Sequence, residues 1–290
     1  MNFSSSSMNI NKIETKMDFL FNNEKYDLAI KDAYNILSME PTNKNALYVC
    51  CYIHYIKDEL DKANHFAQEF LKLNQEADYI HSLYAQILKR KNDYHKALTH
   101  MNRALELDPN NESNYYNMAL MFIGKGHTDV YKAIDYLEKC LRIDPNYQKA
   151  YSLLAYLYIE MNDIHKGNRF ITKALNLNPL SSYSNRINAY YYLKVGDLDE
   201  AKESILKSLR LNPNDEHSQI CLKEIDEVMK NPVPYYRQIK DFLDDNLRSD
   251  PNDSLSIEYM YKINQKLEDL NSLTNPIDMI VDKFRDIFNI

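Results

Sequence analysis

The sequence is poor in glycine and proline, with only 4 glycines and 9 prolines among its 290 residues, and it has no tryptophan. So few turn-forming residues argue against a many-stranded β fold and against a glycine-lined phosphate loop. The sequence also lacks the roughly 18 consecutive apolar residues that a membrane span requires. These absences predict helices joined by short turns, in a chain without a membrane-spanning segment.

An excess of positive charge is absent as well. The chain has 35 Lys+Arg against 42 Asp+Glu, a formal net charge of -7. This balance disfavours binding to the phosphates of nucleic acids. The first residues contain neither a basic region nor an apolar run of signal-peptide length. We therefore predict a disordered leader over residues 1–9 and a cytoplasmic location.

Catalytic and metal-binding motifs are also missing. The sequence contains no nucleophile elbow, zinc-protease helix, phosphate loop or dinucleotide fingerprint. The eight histidines are scattered, and even His95 and His100 fall on different faces of a helix. We therefore expect surface histidines and no catalytic residue, cofactor or metal. The cysteines lie in helical patterns without metal-site spacing, which predicts buried free thiols at Cys50, Cys51, Cys140 and Cys221.

What the sequence does contain is an internal repeat. Small residues recur every 34 residues, or 36 in one step, at Ala29, Ala63, Ala97, Ala133, Gly167 and Ala201. Twelve residues after each comes a closing residue, a proline in all copies but one: Pro41, Gln75, Pro109, Pro145, Pro179 and Pro213. A second series precedes the first at Met17, Cys51, Ala85, Ala119, Ala155 and Ala189. The fourth copy has two extra residues in the turn 126–129. Such units must stack, because one unit cannot bury its apolar face alone.

The copy at 78–111 shows the pattern of each unit. Apolar residues recur at three- and four-residue spacing over 80–88 and again over 94–107, which predicts two amphipathic helices. Asn92 and Asp93 separate the two helices, and Pro109 follows the second one. The same reasoning predicts hairpin breaks near Asn92, Asn162 and Gly196.

The period, the paired small residues and the closing proline resemble the tetratricopeptide repeat, a helix–turn–helix unit of this length. Six copies fit the sequence, at 10–43, 44–77, 78–111, 112–147, 148–181 and 182–215. The resemblance implies an all-α fold, a right-handed α-solenoid of about six such hairpins with C-terminal capping helices. It also implies a non-enzymatic scaffold for protein–protein interaction, whose partner is another protein.

Residues 216–290 are predicted to form a capping helix, a degenerate repeat and C-terminal helices. The helix over 216–230 carries Lys223 at the small-residue position, and Pro232 and Pro234 precede the stretch 235–247, which resembles the second half of a repeat. Helices near 254–270 and 276–289 follow. The last helix has a stripe of large apolar residues, which predicts a terminal cap, with a docking helix for a partner as the alternative.

In the family that the chain resembles, the first helices line a concave surface that holds peptides. The resemblance implies three groove residues in each of five copies: Tyr48, Tyr52, Tyr55; Ser82, Gln86, Lys89; Tyr116, Leu120, Ile123; Ser152, Tyr156, Ile159; and Arg186, Tyr190, Leu193. The carboxylate clamp of chaperone-binding members is missing, and only Asn117 matches the asparagine ladder of members attached to sugar transferases. The implied groove is aromatic and largely uncharged. The peptide-binding residues that we predict are Tyr48, Tyr52, Tyr55, Tyr116, Asn117, Tyr156, Arg186 and Tyr190.

The leading functional hypothesis is a scaffold or adaptor that binds a peptide or helix of another protein in this groove, with Tyr52 and Tyr156 as exposed anchors. The alternative is a regulatory or neutralising subunit that occludes a partner enzyme or a secreted effector. A further alternative is that many of the 24 tyrosines serve packing. The sequence makes no prediction of the oligomeric state.

Overall fold

The computed structural model describes residues 3–123 and 129–271, and every element assigned within these ranges is an α-helix. The chain divides into two compact units. The N-terminal unit comprises residues 1–123 with 138–143, and the C-terminal unit comprises 124–137 with 144–290. The helices are Phe3–Asn22 (α1), Tyr26–Met39 (α2), Lys44–Ile56 (α3), Leu60–Leu73 (α4), Asp78–Arg90 (α5), Tyr94–Leu107 (α6), Glu112–Met121 (α7), Val130–Ile143 (α8), Gln148–Glu160 (α9), Ile164–Leu177 (α10), Ser182–Val195 (α11), Leu198–Leu211 (α12), Glu216–Lys230 (α13), Val233–Ser249 (α14) and Ser254–Asn271 (α15).

Consecutive helices pair as hairpins within each unit. In the N-terminal unit α1 pairs with α2, α3 with α4, and α5 with α6, and in the C-terminal unit α9 pairs with α10 and α11 with α12. The first helices of successive hairpins also contact one another, α1 with α3 and α3 with α5 in one unit, and α9 with α11 in the other. Each unit is therefore a stack of helical hairpins, which confirms the predicted all-α solenoid architecture.

A residue in the left-handed conformation lies in the turn of five hairpins. In the N-terminal unit Glu24, Asp58 and Asn92 have φ angles of 58, 59 and 61°. In the C-terminal unit Asn162 and Gly196 have φ angles of 62 and 83°. Within each unit these positions recur every 34 residues, so the breaks predicted near Asn92, Asn162 and Gly196 are confirmed. The lengthened turn at 126–129 lies mostly outside the described residues.

The small residues that mark the repeat form the contact between paired helices. Both alanine series are completely buried, at Ala29, Ala63, Ala97, Ala133 and Ala201 and at Ala85, Ala119, Ala155 and Ala189. At Gly167 of α10 an added Cβ would lie 2.6 Å from Cγ1 of Ile159 on α9, so this hairpin is too close for alanine. The four cysteines are buried and free, as predicted.

A side chain six residues after the closing position holds the junction between hairpins. The hydroxyl of Tyr151 donates to the carbonyl of Pro145 over 3.0 Å. Three further donors bond to the carbonyl six residues earlier: Asn185 to Pro179 at 3.1 Å, Gln219 to Pro213 at 2.7 Å and His81 Nε2 to Gln75 at 3.1 Å. The carbonyl of the closing residue is thus the recurrent acceptor, and glutamine supplies it as well as proline does.

In the region after the repeats, the pairing of α14 differs from the predicted degenerate repeat. The stretch 235–247 was expected to complete a degenerate repeat, but α14 pairs with α15 and also contacts α11, whereas α13 packs against α12. Lys223 explains this arrangement, because it is exposed at the position where a small residue would let a second helix approach α13. The ion pair of Asp226 on α13 with Lys202 on α12, at 2.7 Å, instead keeps this surface polar.

Two predictions concern the ends of the chain, the leader over 1–9 and the helix over 276–289. Helix α1 begins at Phe3, and the disordered leader expected over 1–9 stays a prediction. The predicted helix over 276–289 lies outside the described residues, and its role as cap or docking helix stays a prediction. None of the described helices is both long and apolar enough to cross a bilayer.

Candidate functional site: an aromatic face of the N-terminal unit

Five aromatic rings form a continuous cluster on the N-terminal unit, which we call the tyrosine patch: Phe21, Tyr26, Tyr48, Tyr52 and Tyr79. The ring centroids of Phe21 and Tyr52 are 5.1 Å apart, and so are those of Tyr48 and Tyr79. Both pairs meet edge to face. The first helices α1, α3 and α5 lie side by side here, so the patch extends over three consecutive hairpins.

The rings of the tyrosine patch are only partly covered. Tyr48 and Tyr52 are half-buried, and Tyr79 is 44% exposed. Burial, together with the neighbouring Tyr52, raises the pKa of Tyr48 to about 12, so its hydroxyl remains a hydrogen-bond donor at neutral pH. Because edge-to-face packing fixes ring orientation, the patch presents ring surface and a hydroxyl donor in a defined geometry.

Tyr55 extends this surface toward α5. Its hydroxyl donates to Oε1 of Gln86 over 3.1 Å. The guanidinium of Arg90 lies 4.6 Å from the centroid of the Tyr55 ring and donates to the Tyr55 carbonyl at 2.9 Å. Burial outweighs the Arg90 charge and raises the pKa of Tyr55. Arg90 is thus engaged with α3 and is not a free cation on this face.

The predicted residues on α5 and α7 also meet. Asn117 Nδ2 donates to Ser82 Oγ over 2.9 Å. The ammonium of Lys89 donates to the carbonyls of Leu120 and Ile123, the latter at 2.7 Å, at the end of α7. Burial lowers the pKa of Lys89 to about 8. Tyr116 and Leu120 are half-buried and Ile123 is buried, so on these helices the predicted groove residues mainly join helices together.

The predicted groove residues of the C-terminal unit are mostly buried, so Tyr156 is not the exposed anchor that the sequence predicts. Tyr156 is 6% exposed and Tyr190 is 3% exposed, with ring centroids 5.8 Å apart. The Tyr190 hydroxyl donates to Glu160, and the Lys194 ammonium lies 5.3 Å from the Tyr190 ring. These charged side chains pack against Tyr190 and help to keep it from solvent. Ser152, Ile159 and Leu193 are also buried.

Arg186 lies on the same helix as Tyr190 and is largely covered. Its Nε is 3.7 Å from Oδ2 of Asp215, and its guanidinium is 5.5 Å from the ring of Tyr183. Both side chains of the ion pair are 14% exposed. Of the predicted residues in the C-terminal unit, Tyr156 and Tyr190 are thus buried and Arg186 is half-buried, as Tyr48 and Tyr52 are.

Comparison with known proteins agrees with this architecture. One tetratricopeptide repeat model matches residues 79–111, and a second matches 113–147, 148–179 and 189–215. The chain is a tetratricopeptide repeat protein. It is accordingly a scaffold for protein–protein interaction, and proteins of this family bind other proteins or peptides. A search of curated protein sequences finds no match.

Solved structures share the fold. PilW, a type IV pilus biogenesis factor, has a TM-score of 0.59 and 19% identity, covering 73% of this chain and 98% of its own. PilF of Pseudomonas aeruginosa has a TM-score of 0.57 and 15% identity, covering 77% and 99%. The Cut9–Hcn1 assembly of the APC/C has a TM-score of 0.61 and 14% identity, covering 73% of this chain and 42% of its own. At these identities the likeness concerns the fold alone.

Three histidines of this tetratricopeptide repeat protein depart from the expected surface locations. His81 is buried, and its Nδ1 lies 2.8 Å from Nδ1 of the half-buried His100. Because His81 Nε2 must donate to the Gln75 carbonyl, His81 Nδ1 accepts from His100. His54 is also buried; its Nδ1 donates to Glu59 at 2.8 Å, and its Nε2 accepts from the Tyr34 hydroxyl at 2.7 Å. Burial lowers the pKa of all three histidines, to about 4 for His100.

The sequence analysis missed the first repeat's contribution to the aromatic face. Glu14, Asp18 and Phe21 precede Tyr48, Tyr52 and Tyr55 by one period of 34 residues. The repeat spacing alone identifies these positions. Among the described residues no group of three or more histidine, cysteine or acidic side chains has the arrangement of a metal site.

Proposed function

We propose that this tetratricopeptide repeat protein binds a peptide or a helix of another protein on the tyrosine patch, with Tyr48 and Tyr52 as the main anchors. The observation that supports this proposal is the half-buried state of these rings across three adjacent hairpins. Tyrosine combines a large apolar ring with a hydroxyl that finds a hydrogen-bond partner, which makes it effective at protein interfaces.

Pre-organisation supports the same conclusion. Tyr52 contacts Phe21 edge to face and lies 6.2 Å from Tyr26, so its ring is oriented before a partner arrives. A side chain that is already fixed loses little conformational entropy on binding. The corresponding Tyr156 and Tyr190 are buried and offer a partner little surface.

The proposal is tested with peptides selected from a phage-displayed library of random 12-residue sequences on the full-length chain. The affinity of the selected peptides is then measured by fluorescence polarisation. We expect Tyr52→Ala to weaken binding by about thirtyfold, which corresponds to about 2 kcal/mol. Tyr52→Phe should retain most of the affinity if the ring surface dominates.

Tyr131→Ala provides a matched control, because this tyrosine is 76% exposed on α8 and lies outside the patch. The control variant should bind as the wild type does. Circular dichroism of each variant checks that the helices remain folded. A library that yields no peptide whose binding depends on Tyr48 or Tyr52 would contradict the proposal.

A further inference from the structure

Two carboxylates lie on α1, the helix that contributes Phe21 to the tyrosine patch. Glu14 and Asp18 are four residues apart and therefore lie on one face of the helix, with Phe21 three residues further along that face. Glu14 Oε1 accepts a hydrogen bond from Asn45 Nδ2 at 2.8 Å, and Phe21 contacts Tyr52 at 5.1 Å between ring centroids. Asn45 and Tyr52 both lie on α3. Asp18 thus lies between two points at which α1 meets α3.

No cation in the described part of the chain neutralises the two carboxylates. No lysine or arginine within the described ranges forms an ion pair with Glu14 or Asp18, and the nearby Lys16 is paired with Asp32 at 2.8 Å. Partial burial and the charge of Glu14 raise the pKa of Asp18. Two like charges at this helical spacing repel each other. A cation placed between them would relieve this repulsion.

The cations further along the same face are already engaged. Arg90 contacts the ring and carbonyl of Tyr55, and Lys89 is bonded to carbonyls at the end of α7. The α1 side of the patch thus carries the charges of Glu14 and Asp18, and Asp78 adds a negative charge beside Tyr48 and Tyr79 on the α5 side. A lysine or arginine side chain suits this arrangement because its apolar stem packs on aromatic rings while its charged end reaches carboxylates or a ring face. A divalent metal ion suits it less, since calcium takes six to eight oxygen ligands.

We propose that Glu14 and Asp18, together with Tyr48 and Tyr52, receive a lysine or arginine side chain of the bound peptide. This inference rests on the proposed peptide-binding function and adds the chemistry of the partner. The recognised segment is one basic residue flanked by residues that cover the rings. Charge complementarity at the α1 side and ring contact on α3 then act on the same side chain.

The test uses the peptides selected on the full-length chain and the paired variant Glu14→Gln with Asp18→Asn. These substitutions preserve side-chain shape, and we expect an unchanged or higher melting temperature because they remove a repulsion. We expect lysine or arginine at a fixed position of the selected peptides. The paired variant should bind them about tenfold more weakly, or about 1.4 kcal/mol.

A peptide in which citrulline or norleucine replaces that basic residue completes a double-mutant cycle between the two carboxylates and the basic residue. It should bind the wild type about tenfold more weakly than the parent peptide, and it should not distinguish the wild type from the paired variant. The control is Asp244→Asn with Asp245→Asn on α14, which changes the net charge equally at a distant position in the sequence. This control should bind the parent peptide normally.

The outcomes separate the two proposals. If Tyr52→Ala abolishes binding while the paired carboxylate variant binds normally, the basic-residue inference is wrong and the tyrosine patch remains the binding surface. Selected peptides without a fixed basic residue would lead to the same conclusion. If neither variant changes the affinity, both proposals are wrong.

Discussion

Tyr52 in the N-terminal unit and Tyr156 and Tyr190 in the C-terminal unit occupy the same position of the tetratricopeptide repeat, yet Tyr52 is half-buried whereas the other two are buried. Tyr52 contacts other aromatic rings, Phe21 at 5.1 Å and Tyr48 at 6.3 Å between centroids. Tyr190 instead donates to Glu160 and lies beneath Lys194. The position in the repeat therefore determines on which face of the helix a side chain lies. The neighbouring side chains determine whether it is exposed to a partner.

The neighbours differ at one further position of the repeat. Glu160 and Lys194 hold the place that Ile56 and Arg90 hold in the N-terminal unit. Ile56 carries no charged end that could cover a tyrosine hydroxyl, and Arg90 is turned to the ring of Tyr55. A single variable position thus helps to distinguish a tyrosine that packs from one that remains available for binding.

The largest expected effect tests this difference directly. Tyr156→Ala should lower the free energy of unfolding by about 3 kcal/mol, because it empties a buried aromatic site. Tyr52→Ala should lower it by about 1 kcal/mol or less, because part of that ring is already in contact with water. Urea unfolding followed by circular dichroism measures both values. Equal losses would show that the two tyrosines have the same structural role.

The sequence predicts the architecture more completely than it predicts the site. The hairpins, their turn positions and the buried small residues follow from one 34-residue period, because each is set by local helix geometry and by the contact between paired helices. The pairing of α14 with α15 does not follow from the period. It depends on where α14 packs after Pro232. Lys223 lies on α13 at the position where a small residue would let α14 approach, and α14 contacts α15 and α11.

Side-chain exposure is the part of the site that the period cannot supply. Tyr156 was predicted as an exposed anchor and is buried, because exposure depends on long polar side chains from adjacent hairpins. His81 was expected on the surface, yet it bonds to the carbonyl that closes the preceding repeat. The position six residues after the closing residue was a usable signal, since Tyr151, Asn185 and Gln219 occupy it with the same bond.

A smaller effect concerns the hairpin turns of the two units. Gly196 has a φ of 83°, and an added Cβ would clash with Cδ1 of Ile263 and lie 3.1 Å from Cγ2 of Ile239. Gly196→Ala should therefore lower the free energy of unfolding by about 2 kcal/mol through backbone strain and the clash with α15. Thermal unfolding monitored by circular dichroism measures the loss.

The N-terminal unit offers the opposite substitution as a control. Glu24 has a φ of 58° at the equivalent turn. Glu24→Gly should leave stability unchanged or raise it by up to about 1 kcal/mol, since glycine adopts this conformation without strain. If Gly196→Ala and Glu24→Gly both lowered the free energy of unfolding, the turn conformation and the contacts of Gly196 would not account for the loss in the C-terminal unit.

The smallest effect follows from the polar contacts that join helices in each unit. In the C-terminal unit these contacts include Ser152 with Ser184 at 2.8 Å and Ser208 with Ser218 at 2.9 Å, which do not titrate. In the N-terminal unit a polar contact of another kind joins α5 to α6, the pair His81 and His100, whose rings can titrate. The N-terminal unit should therefore be the more sensitive to acid.

Protonation of His100 is expected to lower the stability of the folded protein in acid. Its folded pKa is about 4, mainly through burial and further through His81, against an ordinary value of 6.5 in the unfolded chain. Between these values the unfolded state binds more protons, so the stability present above pH 6.5 is lost as the pH falls toward 4. We expect a loss of about 1–2 kcal/mol between pH 7.5 and pH 5, reduced by partial solvent exposure. His100→Gln retains a donor toward His81 and should make urea unfolding less dependent on pH over this range. An unchanged pH dependence in that variant would assign the acid sensitivity to other groups.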